Sequence, residues 1–159
     1  MAEQERGGER RPIALGCDHA GLALKNALRT ALEQRGELLH DVGTHSEASC
    51  DYPDFAHMVA TGVASGSYRL GLLVCGTGVG MAIAANRHPG VRAVVCGESF
   101  SAKMSRSHND ANVLCLGARV IGPGLALEIL DVFLATSFEG GRHAGRVGKI
   151  EAARQPGQP

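Results

Sequence analysis

Hydrophobic and polar positions along this chain follow two alternating patterns. Short apolar runs of the kind that form strands occur five times, and segments with helical spacing separate them. The predicted strands are 13–16, 37–42, 70–75, 91–96 and 112–116. Strands that alternate with helices are joined by right-handed crossovers, which make the sheet parallel. The pattern therefore predicts an α/β fold: a single-domain, Rossmann-like, doubly wound sheet of five parallel strands flanked by helices.

Two of the intervening segments predict helices with different surroundings. Segment 22–35 has one apolar face, made of Leu24, Ala27, Leu28, Ala31 and Leu32. Its charged residues Lys25, Arg29 and Glu33 are expected to face solvent, and Gly36 is expected to end the helix. Segment 126–135 is apolar around most of its circumference, more than one sheet face requires. This excess predicts contact with another subunit, in a homodimer or homotetramer.

Length and composition limit the possible classes of protein. A chain of 159 residues with 44% apolar content fits one compact domain. Segments 1–11 and 154–159 lack apolar periodicity, so we expect disordered tails on either side of a domain at 12–153. The formal net charge of zero gives no reason to expect binding to nucleic acid or to an anionic membrane. No apolar run approaches the roughly 20 residues that span a bilayer.

The cysteines indicate a reducing compartment. There are five, an odd number without a C-x-x-C pair, and no secretory segment precedes them. We therefore expect a cytoplasmic protein with free thiols. The spacing of the cysteines and histidines matches no metal site, so no metal is expected.

Polar residues follow four of the predicted strands. They are Cys17-Asp18-His19, the glycine loop from Cys75 to Gly80, Gly97-Glu98-Ser99 and Gly117-Ala118-Arg119. Ligands of open parallel sheets bind at the carboxyl ends of the strands. The sequence therefore predicts a binding site at this edge of the sheet.

The glycine loop, CGTGVG at 75–80, fits none of three common motifs. The dinucleotide fingerprint needs a sixth-position Gly or Ala, and a Cys-x5-Arg phosphatase needs Arg there, whereas residue 81 is Met. The Gly-Lys-Ser/Thr of a P-loop is also absent. What remains is a series of amides at or near a helix N-terminus and beside a thiol, which can stabilise an oxyanion. A base next to such amides suits proton abstraction beside a carbonyl.

Several candidates have structural alternatives that spacing alone leaves open. Cys17, Cys96 and Cys115 fit small buried hydrophobes, as Cys75 itself would without its loop, and Cys50 fits a loop thiol. His108 equally fits the end of a helix with Asn109 as its cap. Arg142 and Arg146, four residues apart, would share a helix face, which is either solvated or binds phosphate. The remaining histidines show no partner pattern and are interpreted as structural or surface residues: His40, His45, His57, His88 and His143.

Six segments together resemble one enzyme family. They are GCDHAG (16–21), DYPDFA (51–56), CGTGVGMAIAAN (75–86), RAVVC (92–96), SRSHNDANVLCLGAR (105–119) and EGGRHAGRV (139–147). In order and spacing they are similar to the type B ribose-5-phosphate isomerases, over nearly all of 12–153. The resemblance implies an aldose-ketose isomerase of the non-oxidative pentose phosphate pathway. It also implies an enediolate intermediate, no cofactor and sites at a subunit interface.

The resemblance implies a role for each matching residue. Cys75 would be the base of the family's cysteine branch, since Met81 stands where another branch has a glutamate. His108 would open the sugar ring and Asn109 would position the substrate. Amides of Gly76, Thr77, Gly78 and Gly80 would hold the enediolate oxygens, with Thr77 grouped among the catalytic residues. Asp18 and Tyr52 would bind sugar hydroxyls, and the phosphate would be bound by His19, Arg119, Arg142 and Arg146.

Other substrates and other functions also fit the sequence. Within the enzyme class, allose 6-phosphate and galactose 6-phosphate are the nearest rival substrates. A regulatory module that binds a phosphosugar would keep the arginines and the glycine loop without needing Cys75 or His108. A dinucleotide-binding protein is the third possibility.

Overall fold

Five strands form one parallel sheet. The computed structural model describes residues 10–152. The strands are β1 (Ile13–Cys17), β2 (Leu39–Gly43), β3 (Leu70–Cys75), β4 (Ala93–Val95) and β5 (Val113–Gly117), in the spatial order β2-β1-β3-β5-β4. Each neighbouring pair is parallel. The predicted fold class is confirmed.

Six helices cover the two faces of this sheet. They are α1 (Leu22–Gln34), α2 (Tyr52–Ala64), α3 (Val79–Ala85), α4 (Ser99–Asn109), α5 (Pro123–Ala135) and α6 (Arg142–Ala152), and a short 3₁₀ turn (His19–Gly21) precedes α1. Alternate strand residues supply two cores: Leu15 packs with α1 and α5, whereas Ala14 packs with α2 and α3. The described part of the chain has no helix that is both long and apolar enough to cross a bilayer.

The predicted and observed strands agree within two residues at each end. β3 matches fully, and the largest difference in length is at β4, which has three residues where six were predicted. This strand lies at the edge of the sheet, and side-chain amides bond the backbone at its amino end. The Arg92 amide donates to Asn112 Oδ1 (2.8 Å) and the Ala93 amide donates to Asn86 Oδ1 (2.8 Å). The ladder is therefore shorter than the apolar run.

The apolar circumference of α5 has an explanation within one chain. This helix packs against both α1 and α4 as well as β5, and Ala126, Ile129, Leu130 and Phe133 are buried. A helix between two other helices needs more than one apolar face. The extra apolar surface of α5, from which the sequence predicted contact with another subunit, therefore packs inside the domain.

The structure corrects the outward placement of Lys25. Its side chain is fully buried, 0% exposed, whereas Ala27, expected on the apolar face, is exposed. Lys25 lies on the same helix face as Leu28 and Leu32, at the i+3 and i+7 spacing. Its ammonium therefore enters the core, where an acidic partner compensates the charge.

That partner is Asp41 of β2. Lys25 Nζ lies 2.6 Å from Asp41 Oδ1 and donates to the Thr44 carbonyl at 2.8 Å. Burial would raise the pKa of Asp41, but hydrogen bonds from Lys25 and the Gly43 amide, with the Lys25 charge, outweigh burial and lower it. The ion pair joins α1 to β2, and the bond to Thr44 joins α1 to the loop that follows β2. The same loop bonds the end of β1, since the Thr44 amide donates to the Cys17 carbonyl at 2.8 Å.

We expect Lys25→Met to destabilise the protein by about 3 kcal/mol, because it leaves a carboxylate in a largely dry site without its ammonium. The double variant Lys25→Met/Asp41→Leu should recover most of this loss, since two apolar side chains need no counter-charge. Urea unfolding of the wild type and the variants measures both values. Equal destabilisation in the single and double variants would contradict the ion-pair explanation.

The same pair predicts a dependence on pH. Because the folded-state pKa of Asp41 is lowered, its contribution to stability is complete above the unfolded-state pKa of about 4 and is lost as pH falls through the folded value. The stability difference between wild type and Asp41→Asn should therefore shrink below about pH 4.

Candidate active site

The topology creates a crevice between the carboxyl ends of β1 and β3. From β1 the chain continues into α1 on one face of the sheet, and from β3 into α3 on the opposite face. Connections that diverge in this way leave an opening at the strand ends. Asp18 directly follows β1 and Cys75 ends β3, and the neighbouring strand residues Cys17 and Val74 are paired. The crevice therefore holds two of the predicted site residues.

The glycine loop places a backbone amide on the thiol of Cys75. Cys75 is 5% exposed, and its sulfur accepts a hydrogen bond from the Gly78 amide at 3.1 Å. Gly78 has a φ of 80° and precedes α3 as its N-cap. A Cβ at this position would also lie 3.1 Å from the backbone of Leu116. Glycine is thus required on two grounds, and the predicted position of the loop at a helix N-terminus is confirmed.

The other buried thiols have a different environment. Burial raises the pKa of Cys17 and of Cys96 to about 11, and it raises the pKa of Cys115 as well. These thiols remain protonated at neutral pH, as expected for small buried hydrophobes. All five cysteines are free, and Cys50 is half-buried in a loop.

Asp18 and His19 are oriented by local hydrogen bonds. Asp18 Oδ1 accepts from the Gly21 amide at 3.0 Å, which caps the 3₁₀ turn. His19 Nδ1 accepts from the Cys50 amide at 3.2 Å. A neutral His19 therefore carries its proton on Nε2, which becomes a donor for an anion.

Two larger side chains lie directly against the glycine loop. The Tyr52 ring approaches Gly80 so closely that a Cβ there would be 2.5 Å from Tyr52 Cε2. The Arg119 guanidinium lies over Gly76, with Nη1 3.4 Å from the position of a Cβ. The Arg119 amide also donates to the Gly76 carbonyl at 3.0 Å. The closeness of Tyr52 leaves no room for a side chain at position 80, a need that a simple turn does not explain, whereas a Cβ at Gly76 would make only an ordinary contact with Arg119.

The remaining candidates form a second group around the ends of α4 and α6. His108 is half-buried in the last turn of α4, and Asn109 ends the helix and is exposed. Arg142 and Arg146 lie on α6, which packs against α4, and both are exposed. The Glu139 amide, in the turn before α6, donates to the Ser107 carbonyl of α4 at 3.0 Å. The two arginines therefore lie on one helix, the condition under which their spacing of four gives them a shared face.

This second group lies at the amino-terminal edge of the sheet. β5 begins at Val113, opposite Gly71, and ends at Gly117, opposite Cys75. His108 and Asn109 come just before the start of β5, so the five-residue strand, about 13 Å long, separates them from Cys75. Within one chain, the structure does not bring His108 and the arginines to the thiol.

His143 has a partner that the sequence did not reveal. Its ring is stacked on that of His108, with centroids 4.1 Å apart and an interplanar angle of 8°. Glu139 is close as well, and ligand-capable atoms of these three residues lie within 4.8 Å of one another. Imidazole lone pairs lie in the ring plane, so two parallel stacked rings do not converge on one ion. No sequence periodicity indicates such a contact, which depends on how α6 packs against α4.

The fold and the site define a doubly wound α/β protein with an amide-rich loop beside a thiol. A family model described as Ribose/Galactose Isomerase matches residues 13–150. Ribose-5-phosphate isomerase B of Escherichia coli (strain K12) is 51% identical over 143 residues, which cover 90% of this chain and 96% of that protein. The chain belongs to the ribose/galactose isomerase family.

Solved structures agree with this assignment. Ribose-5-phosphate isomerase B of Clostridium thermocellum aligns with a TM-score of 0.88 and 52% identity, covering 89% of this chain and 96% of that one. The enzyme of Mycoplasma genitalium with bound ribulose-5-phosphate aligns with a TM-score of 0.88 and 40% identity, covering 92% and 97%. The resemblance to the type B isomerases inferred from the sequence is therefore confirmed.

Proposed function

We propose that this protein is an aldose-ketose isomerase that interconverts D-ribose 5-phosphate and D-ribulose 5-phosphate in the non-oxidative pentose phosphate pathway. The observation that carries the proposal is the Gly78 amide on the sulfur of Cys75, at the switch point of the sheet. A sulfur that accepts a backbone N–H is in a setting suited to a thiolate base. Relatives and solved structures that carry the name ribose-5-phosphate isomerase B support the substrate.

The chemistry at Cys75 is a proton transfer between neighbouring carbons. The thiolate removes the proton from C2 of the open-chain aldose, and the C–H electrons form the C1–C2 double bond of an enediolate. Amides of Gly76, Thr77 and Gly80 stabilise the negative charge on its oxygens, whereas the Gly78 amide donates to the sulfur of Cys75. Cys75 then returns the proton to C1 while the hydroxyl proton of O2 moves to O1, which gives the ketose.

The residues around the loop bind the rest of the sugar phosphate. Asp18 and Tyr52 bind its hydroxyls, whereas His19 and Arg119 bind the phosphate. The Nε2 proton of His19 and the fork of Arg119 are donors of the type that phosphate oxygens accept. An anchored phosphate holds C1 and C2 at the thiol and so lowers the entropic cost of the reaction.

The other half of the site comes from a second copy of the chain. His108 acts as acid and base in opening the furanose ring, Asn109 positions the sugar, and Arg142 and Arg146 complete the phosphate site. Their separation from Cys75 by the length of β5 supports a shared site, because neither edge holds the whole set.

Apolar exposure next to the glycine loop supports this assembly. In α3, directly after the loop, Val79 is 50% exposed and Ile83 is 55% exposed. The two residues are four apart on one helix face, where a partner would cover them. We propose a homodimer, or a homotetramer built from such dimers, that acts in the cytoplasm without a cofactor or metal.

Two alternatives from other classes fit the structure less well. A regulatory module that only binds a phosphosugar has no need for an amide on a buried sulfur. A dinucleotide-binding loop would need a small residue at position 81, whereas Met81 is fully buried in the core beside β3.

Separate assays test the roles of Cys75 and His108. Cys75→Ala should lower the turnover of ribose 5-phosphate by about 10³-fold or more and abolish exchange of a C1 proton of ribulose 5-phosphate in D2O. His108→Asn should lower the turnover of ribose 5-phosphate but retain this exchange, because ribulose 5-phosphate is already open-chain. A coupled assay measures turnover and NMR measures exchange. Undiminished exchange in Cys75→Ala would refute its role as the base.

Complementation tests the shared site. Cys75→Ala and His108→Asn chains, co-expressed with different tags and purified as the mixed dimer, should recover about half of the wild-type activity. In a shared site, one chain supplies Cys75 and the other supplies His108. One of the two sites of the mixed dimer therefore has both wild-type side chains, and the other site has both substitutions. A mixed dimer as inactive as its parents would show that each site belongs to one chain.

We also propose a side activity on allose 6-phosphate, because the same enediolate chemistry applies to a six-carbon aldose. Its kcat/KM should be at least about 10-fold below that for ribose 5-phosphate, since the phosphate would lie one carbon farther from C1. Steady-state turnover of both substrates by the purified protein measures the ratio. A ratio that favours allose 6-phosphate would reassign the main substrate.

A further inference from the structure

His143 occupies a constrained position beside His108. It is 4% exposed, although its helical neighbours Arg142 and Ala144 are exposed. Its ring lies parallel to that of His108 at a centroid distance of 4.1 Å. Within residues 10–152, His108 is the only candidate residue at this edge of the sheet whose side chain stacks on an aromatic ring.

The turn before α6 fixes this ring. Gly140 and Gly141 have φ values of 65° and 54°, a region that favours glycine, and the His143 amide donates to the Gly140 carbonyl at 2.9 Å. The Glu139 amide bonds the Ser107 carbonyl, one residue before His108. The turn that carries His143 is therefore attached to the last turn of α4, and the two rings share one local framework.

The charges around His143 favour its neutral form. Burial lowers the pKa of His143, and the positive charges of His108, Arg142 and Arg146 lower it further, against the opposing effect of Glu139. Arg142 Nε donates weakly to His143 Nε2 at 3.5 Å, and Glu139 Oε2 is 3.6 Å from the same nitrogen. A neutral ring presents a π face to His108, which is attractive whether His108 is neutral or protonated.

We propose that His143 is a positioning residue that holds the imidazole of His108, by ring stacking, in the orientation needed to open the sugar ring. The inference rests on the proposed isomerase function and on the role of His108 in it. A stacked ring restricts rotation of the His108 imidazole about its Cβ–Cγ bond. A general acid or base needs this restriction, since its nitrogen must lie within hydrogen-bond reach of the ring oxygen.

The decisive comparison is between a cyclic and an open-chain substrate. His143→Ala should lower kcat for ribose 5-phosphate by about 10-fold or more, as expected when an acid-base group loses its orientation. It should leave C1 exchange of ribulose 5-phosphate in D2O within about 2-fold of wild type, because Cys75 performs that step. His143→Phe, which keeps a planar ring, should restore turnover of ribose 5-phosphate to within about 3-fold of wild type.

His57→Ala is the matched control. His57 also pairs with a histidine, with Nδ1 2.8 Å from His88 Nε2, but it lies on α2 and has no part in the proposed site. It should retain both activities. Thermal melting confirms folding of each variant, and if His143→Ala does not fold, His143→Asn replaces it as a variant without an aromatic ring.

Unchanged turnover in a folded variant without the ring, equal loss of turnover and exchange, or failure of His143→Phe to restore turnover would overturn the stacking role. These results leave the proposed isomerase function intact. That function fails instead if the wild-type protein does not turn over ribose 5-phosphate.

Discussion

The requirement to cover both faces of a buried parallel sheet underlies the rest of this structure. Crossovers on opposite faces make the chain diverge after β1 and β3, and the crevice between them receives Asp18 from one strand and Cys75 from the other. The glycine loop then leads into α3 and passes close to β5, so that a Cβ at Gly78 would lie 3.1 Å from the backbone of Leu116. The position of the thiol thus follows from the topology of the sheet.

The same sheet keeps the two groups of site residues apart. Cys75 lies at the carboxyl ends of the strands, whereas His108 and the arginines of α6 lie at the amino ends. A composite site would make assembly a condition of catalysis, since a single chain would carry a base without a ring-opening group. It would also place Arg142 and Arg146, which have no salt bridge within residues 10–152, where a bound phosphate provides their counter-charge.

Sequence patterns predicted the features that depend on neighbours along the chain. Alternation of apolar residues located all five strands, and the difference at β4 arose because Asn86 and Asn112 bond its backbone. The strand-to-loop transition at Cys75 was predicted for the same reason. By contrast, Lys25 was expected in solvent. A helical pattern does not show that Asp41 of β2 lies within reach of the Lys25 ammonium.

The sequence by itself determined the fold class, the family and the residues able to do chemistry, since apolar periodicity and motif order are properties of the chain. Only the tertiary structure decided which of these residues meet. It brought Asp18 and Cys75 to one crevice, stacked His143 on His108 and placed that pair at the far edge from Cys75. These outcomes depend on strand order and helix packing, which are set by contacts between residues remote in sequence and leave no periodic trace along it.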